Sequence, residues 1–558
     1  MKQIPIGIQD FKVIREGDKY FVDKSMLIGR ILKSNDRGVY LYTRPRRFGK
    51  SVNLSMIDAF LNLEYKGNRW FDGLEISSHS EFDGYRNAFP VISIDFKDLN
   101  LGCRENFLAS MGERIRRAYR PFSYLEGSEK TDRRDREIYA SIAGSEAGEV
   151  DLENSLAMLS DMLRAHHGAP AVILVDEYDS PMQGAYGTEV QGDVTRFMRT
   201  LLSSALKGSG SLQLAVVTGV LQMAKESIFS GLNNLKVNNI LSADFDEMYG
   251  FTEPEVRRIC DEYGRPDKFE EAREWYDGYR FGNAEIYNPW SILSYADSGF
   301  RPAPYWANTS GNSIIADLLS RSDQETLDNL GLLGSGESFA TGVKAHVTYS
   351  DLGDDAGAIY SMMAVSGYLK AVPEGALHRL SIPNAELYSV FADLVSRHAA
   401  SDAVADGLRA LAYAVSEGDQ DSMCECIGSL LSRVVSSRVL DSEHAYQAFL
   451  VGALMHLSGR YEVKADYENG DGYYDIMLRR KRGSGPNIVI EIKRSAGRGA
   501  ESLREAAEAA LRQIKDKRYA HGLDGPTLAY GVAFHGKTPC IASERLDAPG
   551  SGLRGVSL

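Results

Sequence analysis

The sequence predicts an α/β protein in two parts, a larger module built on a mostly parallel sheet and a smaller α/β module with a hairpin at its centre. Three observations predict it. From Val39 to about Gly219, short apolar runs (VYLYT, PVISIDF, AVILVDE, LQLAVVTG) alternate with longer helical stretches, the pattern of strands joined by crossover helices. Nearer the C-terminus, YYDIML and NIVIEIK flank the basic, glycine-rich RRKRGSGP, which reads as an antiparallel hairpin. The chain has 558 residues, more than one ordinary core accommodates.

The elements follow in order. Residues 1–304 form the first module. Within it the stretch from Pro121 to Gly148 is polar and charged and reads as a surface insertion. From Thr252 to Pro304, helical patterns surround WYDGYRFG and YNPWSIL, which predicts a helical lid on the sheet domain. Residues 305–381 mix short signals around a Gly/Asp-rich loop and read as a connector. The second module spans 382–540: opening helices, the hairpin, a helix from about Glu501 to Tyr519, and the strand TLAYGVAF. Residues 541–558 are left as a tail.

Composition narrows the function classes. The chain is 43% hydrophobic and 25% charged, as folded proteins are. It has no apolar run near the roughly 18 residues that cross a bilayer, and its start lacks an apolar signal region, so no membrane partner and a cytoplasmic location are expected. Five cysteines, mostly isolated, argue against a disulfide framework, and Cys424 and Cys426 lack a second pair at zinc spacing and read as buried thiols. A net charge of −14 gives no global attraction to nucleic acid, so DNA or RNA would be held by local basic patches or metal ions. The sequence leaves a homo-oligomer open.

The segment YTRPRRFGKS follows an apolar strand and precedes the helical run VNLSMIDAFLNL, the setting a phosphate-binding loop needs. There the backbone amides around Gly49 face phosphate oxygens, Lys50 reaches the β- and γ-phosphates of ATP, and Ser51 binds Mg²⁺. Arg44 stands where the general motif has its first glycine. Arg44, Arg46 and Arg47 either add positive charge beside the phosphates or form a solvated basic loop. The run AVILVDEYD ends in two carboxylates, Asp176 to hold Mg²⁺ and Glu177 to polarise the attacking water. Thr218, ending LQLAVVTG, stands where a sensor of the γ-phosphate would sit, or is a plain turn residue.

TRPRRFGKS, DEYDSPM, TGV, IFSGLNNL, GFTEPEV, WYDGYRFG and YNPW together resemble the AAA-ATPase-like family of bacterial proteins that carry a C-terminal PD-(D/E)XK nuclease domain. The resemblance implies a P-loop NTPase sheet of AAA type with a helical subdomain, then a restriction-endonuclease-like α/β domain. It extends from about Ile4 to Tyr519. Members of that family share T-R-P-R-R-F-G-K at the loop, and the departure of Arg44 from the general motif leaves open whether ATP is hydrolysed or only bound.

In the second module, strand alternation puts Glu491 and Lys493 on one face, and pairing across the hairpin brings Asp475 beside them. Two carboxylates and a lysine suit phosphodiester hydrolysis assisted by Mg²⁺ or Mn²⁺, with Asp475 and Glu491 as metal ligands and Lys493 serving the nucleophile. Glu491 lies in an apolar strand, where an unpaired carboxylate is costly, and that favours a metal role. The resemblance makes these three the D, E and K of the motif, with Tyr474 in place of its proline. It implies further that Glu443 matches the acidic residue of the preceding helix, and Gln513 a later polar position. Arg479 to Arg482 read as phosphate contacts or a solvated turn, and His166 and His167 as a helix-end pair. The expected function is an ATP-driven switch or motor coupled to a nuclease; its rivals are an ATP-regulated scaffold that binds nucleic acid or protein without cutting, and a plain ATPase.

Overall fold

A computed structural model describes residues 1–207, 210–222, 229, 232, 234–306, 324–334, 337–344, 356–388, 391, 402–434, 443–454, 457, 461–469, 472–481, 485–495, 497 and 499–546. Its contacts divide the chain into two compact units, 1–315 with 340–386, and 316–339 with 387–558. No helix among the described residues is long and apolar enough to cross a membrane.

The first unit is built on a five-stranded parallel sheet of β1 (Val39–Thr43), β2 (Val91–Asp95), β3 (Ala171–Asp176), β4 (Leu212–Gly219) and β5 (Leu235–Asn238), ordered β2-β3-β4-β1-β5. β1 and β4 are buried along their whole lengths, which explains their unbroken apolar sequences, whereas the edge strands β2 and β5 carry exposed positions. Alternation sends Val39, Leu41, Ile173 and Val217 into one core, with α2 (Arg104–Tyr119) and α5 (Gln191–Leu206). Tyr40, Tyr42, Leu174 and Val216 enter the opposite core, with α1 (Lys50–Leu61).

The expected surface insertion is instead part of the first core. Residues 133–143 form α3 (Arg133–Ala143), and Phe122, Leu125, Tyr139 and Ile142 are buried against α4 (Glu149–His167). Few but well-spaced apolar residues suffice, because the charged ones fall on the solvent side. His166 and His167 do end a helix, bonding Ser128 and Tyr124.

Beyond β5 come α6 (Glu253–Glu262), α7 (Phe269–Tyr276), the hairpin of β6 (Tyr279–Phe281) with β7 (Ala284–Ile286), and α8 (Pro289–Asp297). α6 starts in a reciprocal capping box of Thr252 and Glu255, and Asn288 caps α8 through its side chain. The connector expected over 305–381 is divided: 340–386 packs with the first unit. The Pro45 ring lies against Gly367, and Glu386 is fully buried, accepting from the Ser291 hydroxyl (2.8 and 3.0 Å) and the Trp306 N–H (2.7 Å). Burial pushes that carboxyl up to about 7.

Gly278 has a φ of +99°, and a Cβ there would lie 2.1 Å from the Pro383 carbonyl oxygen. Gly278→Ala is therefore expected to cost about 3 kcal/mol, from left-handed strain plus overpacking against backbone. Denaturant unfolding reads the effect. A loss under about 0.5 kcal/mol would show that the 383 segment yields freely.

The second unit carries a five-stranded sheet, β8 (Tyr461–Asn469), β9 (Gly472–Arg480), β10 (Asn487–Arg494), β11 (Thr527–His535) and β12 (Thr538–Leu546), in sequence order across the sheet. The β9–β10 hairpin is antiparallel, and β10 pairs parallel with β11 through the crossover helix α10 (Ala500–Asp516). Helix α9 (Glu443–Leu454) covers the other face with Ile488, Ile490 and Ile492. β8 and β12 lie outside the expected strands, and β12 takes up the first part of the expected tail. Cys424 and Cys426 are only half-buried, on a helix.

Candidate functional site

In the first unit, β1 ends and the chain turns through residues 44–49 into α1, with Gly49 as its N-cap. Lys50 is buried inside this turn, where its ammonium donates to the carbonyls of Arg44 (2.9 Å) and Pro45 (2.8 Å). Burial lowers its pKa, against the opposing charges of Asp176, Asp179 and Glu177. Ser51 donates its hydroxyl to Asp176 Oδ2 (2.5 Å), and Thr218 donates its own to Asp176 Oδ1 (2.5 Å). Three separate segments thus meet on one carboxylate. Glu177, next in the chain, adopts a φ of 51° and accepts from the Ser180 hydroxyl (3.1 Å).

The arginines of the loop divide differently from expectation. Arg44 is neither solvated nor free to point outward but fully buried, donating to the carbonyls of Thr43 (2.9 Å), Asn238 (2.9 Å) and Phe245 (3.4 Å). Its guanidinium lies over Tyr249 and Phe281, 5.3 and 5.1 Å from the ring centroids, and burial pulls its pKa down to about 10. It fastens the loop to β5, to the 245–249 segment and to β6. Arg47 is exposed and stacks on Trp290 at 3.9 Å, while the carbonyl of half-buried Arg46 accepts from Trp306 Nε1 (3.5 Å). Phe48 packs against Tyr279 and Phe281 of β6.

In the second unit, the β9–β10 pairing ends at Ile476 opposite Ile490, and Asp475 and Glu491 are the next residues on the two strands. Asp475 Oδ2 accepts from the Ile492 N–H (2.6 Å), and its main-chain carbonyl accepts from Gln447 of α9 (2.9 Å). Glu491 is 2% exposed. Its Oε1 accepts from Lys493 (3.1 Å) and from Gln513 of α10 (2.5 Å), while Oε2 has no hydrogen-bond partner. Burial, then the charge of Asp475, pushes its carboxyl up to about 7. Burial alone would lower the Lys493 pKa, but the hydrogen bond and charge of Glu491, helped by Glu443 and Asp475, hold it above normal. Glu443 sits at the rim, accepting from the Arg494 N–H (2.9 Å).

An orphaned, buried carboxylate oxygen beside a second carboxylate fits a divalent cation. Among the described residues no group of three or more His, Cys, Asp or Glu side chains is gathered to hold a metal. Mg²⁺ ordinarily takes one or two carboxylates and keeps several waters, so the pair is chemically adequate. Of the basic turn, Arg479 is exposed and Arg480 is occupied with the Gly485 carbonyl (2.9 Å); Arg482 lies outside the described residues. Sequence reasoning missed Asp179 and Gln447. Asp179 was signalled by the second aspartate of DEYD, and Gln447 by its place one helical turn after Glu443.

Without a metal the orphaned charge should be costly. A free carboxyl ionises near pH 4.5, whereas Glu491 holds its proton to about 7, so the parent loses stability as pH rises through that window. Glu491→Gln is accordingly expected to stabilise the metal-free protein by about 3 kcal/mol at pH 8 and by almost nothing at pH 4.5. Paired denaturant curves in chelator measure both; equal gains at the two pH values would disprove the ionisation account.

Residues 5–229 match the family described as Predicted AAA-ATPase, and residues 441–544 match the PD-(D/E)XK nuclease superfamily. A protein of Azotobacter chroococcum, described as an uncharacterized protein in the vnfD 5′ region, is 32% identical over 327 residues. That alignment covers 57% of this chain and 56% of the relative, so the chain spans little more than half of it. The ORC2 protein of Aeropyrum pernix, solved as ADPNP–ADP complexes, aligns over 68% of this chain and 93% of its own at 11% identity. Its TM-score of 0.24 is too low to bear on fold or function. Residues 5–229 are thus similar to the AAA-ATPase-like family, and residues 441–544 to the PD-(D/E)XK nuclease superfamily.

Proposed function

We propose that the chain binds and hydrolyses ATP in its first unit, and that this turnover regulates a metal-dependent cleavage of DNA or RNA phosphodiesters in its second. The observation that carries the reading is the convergence of Ser51, Asp176 and Thr218 at the carboxyl ends of β1, β3 and β4, where open parallel sheets bind ligands. Bound Mg²⁺ would supply charge neutralisation at the phosphates. The amides at the start of α1 face the phosphates, and Lys50 exchanges two loop carbonyls for phosphate oxygens. Ser51 and Asp176 hold the cation directly or through water, Thr218 fixes the Asp176 carboxylate, and Glu177 orients the attacking water.

In the second unit, Asp475 and Glu491 Oε2 would hold Mg²⁺ or Mn²⁺, which lowers the pKa of a water when bound. Lys493, held on Glu491 Oε1, places its charge on the nucleophile's side of the phosphate. Gln513 keeps Glu491 aimed and Glu443 adds negative charge at the rim.

The test is a cleavage assay of the whole protein on single- and double-stranded DNA and RNA, with and without ATP and with Mg²⁺, Mn²⁺ or chelator. Cleavage that needs the metal and changes with ATP supports the reading. Metal binding and ATP turnover with no cleavage would replace it by an ATP-regulated scaffold.

A further inference from the structure

Asp179 stands three residues beyond Asp176 and is 1% exposed. Its Oδ2 accepts from the backbone N–H groups of Val220 (3.0 Å) and Leu221 (2.7 Å) and from the side-chain amide of Gln183 (2.5 Å). Oδ1 has no hydrogen-bond partner and lies against Gly219, where any Cβ would come within 2.5 Å of it. So close an approach requires glycine at 219. The preceding residue grips the same segment: the Tyr178 N–H donates to the Thr218 carbonyl (3.0 Å), and the Tyr178 hydroxyl to the Leu221 carbonyl (2.8 Å). The Gly219 carbonyl in turn accepts from the Arg44 N–H (3.1 Å), at the first residue of the phosphate loop.

A carboxylate taken so far from water is expensive, and a space-filling role would be served at less cost by an apolar residue. What the acceptor oxygen secures is the path of the backbone just past β4. That path sets where Thr218 stands, and Thr218 is one of the two hydroxyls holding Asp176. We propose that Asp179 is a positioning residue for ATP turnover, locking the 218–221 backbone to the end of β3 so that Thr218, Asp176 and Glu177 keep one arrangement. The inference rests on the nucleotide reading of this site. Asp179 does not touch the reacting atoms; it acts through Thr218.

Two substitutions separate the possibilities. Asp179→Asn keeps an acceptor oxygen for Val220 and Leu221 at nearly the same volume, whereas Asp179→Ala leaves both N–H groups without it. Asp179→Ala is expected to lower kcat for ATP by about tenfold to a hundredfold, the cost of a misplacement near 1 Å, with KM within a few-fold of the parent. Asp179→Asn should restore most of kcat. Equal loss in both variants would show that the charge itself is needed, and a parent-like kcat in Asp179→Ala, or a loss confined to KM, would also overturn the proposal. Should Asp179→Ala fail to fold, Tyr178→Phe releases the Leu221 carbonyl; it must lower kcat several-fold at unchanged KM, and a parent-like kcat counts against the role. Calorimetric titration of the parent with ATP distinguishes the two failures. A parent that binds no ATP overturns the site and this role together, while a parent that hydrolyses ATP no faster than Asp179→Ala overturns this role alone.

Discussion

Asp475→Asn should leave the protein folded and able to take up ATP, yet lower metal-supported cleavage by at least about a hundredfold. The substitution hardly changes volume, and its remaining oxygen still accepts from the Ile492 N–H, so the β9–β10 pairing survives. What is lost is one of the two charges facing the metal. Lys493→Ala should instead retain Mn²⁺ affinity and still suppress cleavage, since the ammonium engages Glu491 Oε1 and not the orphaned Oε2. Mn²⁺ titration beside a cleavage assay reads both effects. A fully active Asp475→Asn would place the chemistry elsewhere in the chain, and a parent that binds no metal and cuts nothing would remove the nuclease reading.

Lys50→Ala is expected to weaken ATP binding about a hundredfold or more, the loss of charge-assisted hydrogen bonds worth some 3 kcal/mol. Glu177→Gln should bind ATP like the parent and stop turning it over, because the amide still orients water but cannot draw its proton. Titration calorimetry and a phosphate-release assay separate the two. Tight binding by Lys50→Ala would mean that the loop at 44–51 is not the phosphate site. Thermal unfolding of Lys50→Ala is the control, since its ammonium also satisfies two loop carbonyls.

What the sequence revealed depended on how local each signal was. β1, β3 and β4 announced themselves because central strands of a parallel sheet are buried on both faces and read as unbroken apolar runs. The Asp475, Glu491 and Lys493 cluster was equally legible, because a hairpin pairs residues near in sequence and alternation assigns their face. Arg44 was not legible. Its acceptors come from Asn238 and Phe245, some two hundred residues away, and no sequence window displays them. The strand Tyr461–Asn469 escaped because an edge strand alternates with charges and looks like a loop. Asp179 was missed for a related reason: two of the groups that donate to it are backbone N–H groups at 220 and 221, which carry no side-chain signature.

The division of the chain has a consequence for how the protein can be taken apart. Because 316–339 goes with the second unit and 340–386 returns to the first, the polypeptide crosses between them at 315/316, 339/340 and 386/387. No single cut frees either unit intact. A fragment ending at residue 304, where a linear reading would place the border, loses the Pro383 carbonyl behind Gly278, the Gly367 backbone behind Pro45, and the Glu386 carboxylate on Ser291. The first unit is thus not a detachable cassette: gene truncation or domain shuffling at one junction would yield the 44–51 loop without its backing, and a faithful excision needs the 340–386 segment spliced back on.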